Sequence, residues 1–126
     1  MIYGIGTDIV RVERMRNSLS RFGEKFARRI LTSHELDGFQ QASKPEHYLA
    51  KRFAAKEAAA KALGTGFSDG LSLTCIGIRH DDRGKPILEF LDRASELCEQ
   101  KGIAGSHVSI ADEEDHAVAF VVLLSN

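Results

Sequence analysis

At 126 residues, with 43% hydrophobic and 28% charged side chains, the chain has the size and balance of one compact domain, residues 1–126, and is too short for two. A net charge of −1 argues against general nucleic-acid affinity. No apolar run approaches the ~20 residues that span a bilayer and no basic, then apolar leader opens the chain, so a cytoplasmic protein without a membrane partner is expected.

Ile2 to Asp8 reads as a short strand, with Gly4 and Gly6 as points where another backbone could approach closely. Asp8 falls at its end, where a carboxylate commonly begins a turn or caps a helix. From Val12 to Phe22 the period is helical: Val12, Met15, Leu19 and Phe22 form an apolar face, and Arg11, Arg14, Ser18 and Arg21 a polar one beside it. Between Arg11 and Arg29 seven basic residues meet only Glu13 and Glu24, a local balance of +5 that leaves −6 for the rest. So local a basic stripe suits one electrostatic partner. Phe22, Phe26 and Ile30 continue a helical stripe expected in the core.

Thr32-Ser33-His34-Glu35 has capping-box spacing and predicts a short helix to about Gln41. Ser43-Lys44-Pro45-Glu46 repeats that spacing before a long helix from Lys44 to Leu63, roughly 30 Å at 1.5 Å per residue, with Gly64 as its left-handed stop. Within it Phe53, Glu57 and Lys61 share one face, with the acid N-terminal to the base in the favourable i,i+4 order. Six alanines between 54 and 62 leave a bare helix against which another backbone or a large ligand could lie. Gly64-Thr65-Gly66 offers open backbone at the dipole end that repels anions, so a phosphate there would depend on lysines.

Leu71 to Arg79 alternates as a strand, Asp81 to Gly84 forms a turn, and Pro86 to Phe90 returns beside it. Asp92 is placed to cap a helix ending at Gly102, with Ala94, Leu97, Cys98 and Lys101 inward. Strands at His107–Asp112 and His116–Leu124 flank an acidic turn. Cys75 and Cys98 lack metal-ligand and disulfide-framework spacing, so both are expected as buried, reduced thiols. This order predicts an α+β fold, an antiparallel or mixed sheet packed by helices, with one long central helix.

Four segments of the chain, taken with its length, resemble the 4′-phosphopantetheinyl transferases, in particular the small bacterial class of holo-acyl-carrier-protein synthases. They are Gly4-Ile5-Gly6-Thr7-Asp8-Ile9-Val10, the string Lys51 to Gly66, Phe26 to Thr32 and the late His107-Val108-Ser109-Ile110. The resemblance implies coenzyme A as donor and a serine of an apo-acyl carrier protein as acceptor. The products would be holo-acyl carrier protein and 3′,5′-ADP, in support of fatty acid biosynthesis.

It further implies Asp8 and Glu57 as ligands of Mg²⁺, with Lys61 as a point charge at the phosphates. These three form the catalytic set. Two carboxylates from separate elements are an incomplete hard-cation site, of the kind Mg²⁺ completes with phosphate oxygens and water. The base that takes the serine proton stays open between Glu57 and a water held at Asp8. Lys44, Arg52, Lys56, Lys61, Gly64, Gly66 and His107 are candidate coenzyme A contacts. Arg14, Arg21, Lys25, Phe26 and Arg29 are candidates for docking the acidic carrier protein. Larger relatives bind coenzyme A between two halves of one chain, whereas 126 residues supply one half, so another subunit is expected to complete the site, and the resemblance to the small class implies a homotrimer with interfacial sites. The competing reading is a non-catalytic module that uses the arginines to bind an acidic protein or RNA, with Glu57 and Lys61 merely paired on a helix surface.

Overall fold

The computed structural model describes residues 1–126. The elements run β1 (Ile2–Arg11), α1 (Val12–Phe22), α2 (Glu24–Ile30), α3 (Ser33–Gln41), α4 (Pro45–Leu63), a 3-10 turn at Leu73–Cys75, β2 (Ile76–His80), β3 (Pro86–Phe90), α5 (Arg93–Gln100), β4 (Ile103–Asp112) and β5 (His116–Ser125). Strands β1, β5 and β4 form an antiparallel sheet in that order, and β2 and β3 a separate hairpin. The fold is α+β, with helices packed on antiparallel sheet.

The long helix α4 lies on the inner face of the three-stranded sheet. Gly4, Gly6, Asp8 and Val10 alternate onto that face, opposite Leu123, Val121, Ala119 and Ala117 of β5. A Cβ on Gly6 would overlap the Ala58 carbonyl oxygen and stand 2.8 Å from Ala62 N, and one on Gly4 would overlap the Ala62 carbonyl. Two missing side chains on the strand and a run of alanines on the helix therefore let two backbones meet. All six alanines from Ala54 to Ala62 are buried. The bare helix face serves the strand, and no ligand reaches it.

Several boundaries differ from expectation for local reasons. Strand β1 runs on to Arg11 because it stays paired with β5 as far as His116. Gly23, at φ 65°, ends α1 and turns the chain, so Phe22 is 53% exposed beneath the Arg21 guanidinium instead of joining Ile30 in the core. The capping box at Thr32 and Glu35 forms in full. The second does not: Lys44 is the N-cap of α4, no side chain caps it, and Pro45 occupies the first turn, where a missing N–H costs nothing. Gly64 stops α4 in the left-handed region. The strand expected from Leu71 begins only at Ile76, after the 3-10 turn. Asp92, itself at φ 49°, makes no side-chain cap for α5, which ends at Gln100. Strand β4 begins at Ile103, four residues before His107. Cys75 and Cys98 are buried free thiols.

Candidate active site

Asp8 and Glu57 come from different elements, β1 and the fourth turn of α4, and the close glycine–alanine packing brings them together. Burial first, and then the Asp8 charge, push the Glu57 carboxyl above the ordinary value of 4.5, while Lys61 and Arg14 pull it down. Two partly buried carboxylates that repel one another are a ready seat for a cation.

A cation already rests there. Lys61 Nζ donates to Asp8 Oδ1 at 3.1 Å and to the main-chain carbonyl of Thr7 at 2.9 Å. The i,i+4 partner expected from helical spacing was Glu57, but the strand offers two oxygens in one direction. Glu57 is left without a hydrogen bond or ion pair. The donor chemistry fits Mg²⁺: carboxylate oxygens, an ammonium standing in for the ion, and too few protein ligands to enclose a metal without substrate and water.

The remaining candidates divide by position. Gly64 and Gly66 follow directly on Lys61 at the end of α4, where Gly64 N bonds to Lys61 O and Gly66 N to Ala60 O, and a Cβ on either would meet only open space. Arg14 lies across Phe53, with its guanidinium carbon 5.1 Å from the ring centre, so α1 delivers its basic edge beside Glu57. Arg14, Arg21, Lys25 and Arg29 are all exposed, whereas Arg16 and Arg28 are paired with Glu46 and Glu24. Phe26 packs half-buried on the core and presents only an edge.

Lys56 is a correction. It faces inward from α4, is 0% exposed, and gives its three protons to Glu35 Oε1 at 2.6 Å, Leu73 O at 3.1 Å and Ile76 O at 2.5 Å. No donor is left for coenzyme A, so it is not a ligand contact. Arg52 shares Glu35 at 3.6 Å and lies 3.7 Å above the Tyr48 ring, at the edge of an open groove with His34, Arg79 and His80. Lys44 lines another groove, of about 620 Å³, with His47, Lys51 and the turn at Glu113. Neither groove includes Asp8, Glu57 or Lys61.

His107 lies on the sheet's outer face, opposite Val122. Asp8 faces inward, so within one chain the sheet separates them. Two participants escaped the sequence: Thr7, which acts through its carbonyl, and Glu35, whose capping-box role gave no hint that its second oxygen accepts from Ile78 N at 2.9 Å while its first holds Lys56.

Residues 4–121 match the family model of the 4′-phosphopantetheinyl transferase superfamily. A holo-[acyl-carrier-protein] synthase of Nitrosococcus oceani is 55% identical over 125 residues, 99% of this chain and 81% of that protein. The crystal structure of the holo-[acyl-carrier-protein] synthase from Neisseria meningitidis superposes with a TM-score of 0.94 at 52% identity, covering 99% of this chain and 100% of the other. The Bacillus anthracis holo-(acyl-carrier-protein) synthase in complex with CoA (3′,5′-ADP) gives 0.84 at 40% identity, covering 100% and 99%.

Proposed function

The chain belongs to the 4′-phosphopantetheinyl transferase superfamily, and on that premise we propose that its chemistry runs at the cluster of Asp8, Glu57 and Lys61. The protein is an enzyme: it transfers the 4′-phosphopantetheine of coenzyme A to a serine of apo-acyl carrier protein. The serine oxygen forms a bond to the phosphorus that carries pantetheine. The bridging P–O bond breaks, 3′,5′-ADP leaves, and the serine proton passes to a base.

The cluster's convergence is the observation that carries this placement. Asp8 and Glu57 would hold Mg²⁺, which when bound supplies charge neutralisation and a template for the pyrophosphate oxygens. Lys61, on a flexible stem beside Gly64, reaches the same phosphates and stabilises the charge on the departing ADP. The serine proton passes to Glu57 or to a water held beside Asp8, the two acceptors within the cluster. Arg14, Arg21, Lys25 and Arg29 dock the acidic carrier protein with its serine toward Glu57. Residues 1–126 act as one transferase domain in the cytoplasm, supplying fatty acid biosynthesis. No helix is long and apolar enough to cross a membrane.

The same reading assigns a homotrimer. Ile5, Ile9, Val118 and Phe120 form an exposed apolar strip on the outer sheet face, with Ile9 65% and Ile5 59% open. His107 stands on that face, cut off from its own Asp8 but available to a neighbour's site across a ring. Gly64, Gly66, Lys44 and Arg52 complete the coenzyme A contacts, the last two from grooves remote from their own cluster.

Intact-mass measurement of apo-carrier protein incubated with coenzyme A and Mg²⁺ tests the assignment. A phosphopantetheine-sized gain is expected, abolished by chelator and lowered by about 100-fold or more in Asp8→Ala and Glu57→Ala. Wild-type turnover by both variants would discard the site.

A further inference from the structure

We propose that Lys61 is the resting counter-ion of Asp8, holding the metal seat until coenzyme A arrives, and that its ammonium moves to the pyrophosphate as the divalent cation takes its place. The inference rests on the reading of Asp8 and Glu57 as the metal pair. Consecutive residues of β1 make the seat, the Thr7 carbonyl at 2.9 Å and the Asp8 carboxylate at 3.1 Å. A salt bridge on a solvated helix would have used Glu57, one turn back on α4. Lys61 instead crosses to the strand, where two oxygens converge as they would on a metal ion.

Charge explains why the seat is filled. With Lys61 withdrawn, Asp8 and Glu57 would repel each other uncompensated, with the Asp8 side chain only 18% exposed. An ammonium neutralises part of that charge without needing an octahedral shell. It is also easily displaced: Lys61 is half exposed and its four-carbon stem can swing. Gly64 and Gly66, both left-handed, put no side chain into the open space at the end of α4 that follows Lys61. A metal entering alone must evict Lys61 into water. A metal entering with coenzyme A gives Lys61 a new anion, so the exchange preserves charge on both sides. Metal and coenzyme A therefore bind with positive coupling, and the enzyme does not fill with metal while it waits for substrate.

Titration of Mn²⁺ without coenzyme A, followed by the spin resonance of free Mn²⁺, separates the alternatives. Lys61→Met should bind Mn²⁺ about three- to fivefold tighter than wild type, the size set by a partly exposed ion pair, while Lys61→Arg, which keeps a charge for the seat, should match wild type. In nitrogen-correlated spectra the Lys61 ammonium, identified by its loss in Lys61→Arg, should exchange protons more slowly than exposed Lys85 in the free protein. It should shift when Mg²⁺ and coenzyme A are added together. Equal Mn²⁺ affinity of Lys61→Met and wild type would overturn the counter-ion role and leave the metal pair standing, as would a Lys61 ammonium as labile as that of Lys85. If neither chain bound Mn²⁺ even with coenzyme A present, the metal pair and the inference would fall together.

Discussion

Lys56 Nζ meets Glu35 Oε1 at 2.6 Å, and the two side chains, 21 residues apart in the chain, are 0% and 1% exposed. Glu35 also accepts from the main-chain N–H groups of Thr32 and Ile78, and Lys56 gives to the carbonyls of Leu73 and Ile76, so one pair ties α3, α4, the 3-10 turn and β2. Removing one member of a buried pair leaves the other charged without a partner. Lys56→Met is therefore expected to destabilise the fold by about 3–5 kcal/mol. Denaturant unfolding measures it, and a loss below about 1 kcal/mol would show the pair to be dispensable.

Glu57 contributes an instability to the metal-free fold. Its folded value is raised, by burial and then by Asp8, above the ordinary 4.5. The folded chain therefore holds this proton more tightly than the unfolded one, and stability falls as pH rises from the ordinary value through the raised one. Without metal at pH 7, Glu57→Gln should melt higher than wild type, by about 1–3 °C because solvent screens part of the penalty. The gap should close below pH 4.5. A Glu57→Gln chain less stable at pH 7 would contradict a Glu57 carboxylate penalised by burial and by Asp8.

On the proposed docking face, Arg14 lies over Phe53 and its charge lowers the proton affinity of Glu57. Reversing it should act twice. Arg14→Glu is expected to raise the carrier-protein KM by about tenfold, as loss of a rim charge weakens encounter, with the coenzyme A KM little changed. The acid limb of the pH–rate profile should also move to higher pH, because Glu57 loses a favourable neighbour. A higher KM with an unmoved limb would confine Arg14 to docking.

The outer sheet face makes the oligomer testable. A charge in an apolar interface is costly to desolvate, so Ile9→Glu should convert the assembly to monomers in sedimentation and remove transfer activity while the chain stays folded. Because Ile9 is 65% exposed in the single chain, its own fold does not need the side chain. A monomeric wild type, or a fully active monomeric variant, would discard the interfacial site.

Much of this was legible locally. The capping box at Thr32 and Glu35, the stop at Gly64 and the hairpin from Ile76 to Phe90 depend on residues within a few positions of each other, and all formed. Gly4 and Gly6, with the alanines of α4, signalled a close approach correctly but did not say what approached. Phe22 was misplaced because its apolar period continued across a glycine that breaks the helix. Lys56 was misplaced because a lysine on a charged helix reads as solvated until Glu35 is brought to it.

The sequence by itself determined the kinds of elements and their order, because helix period, caps and glycine stops act over one or two turns, whereas the roles expected of Asp8, Glu57 and Lys61 came from the family resemblance and not from spacing. Only the tertiary structure decided the pairings: Lys61 with Asp8 and Thr7, Lys56 with Glu35, His107 on the far side of the sheet from its own Asp8. The reason is that a charged side chain's partner depends on which face of its element is buried and against what. That is fixed by packing and desolvation across dozens of intervening residues.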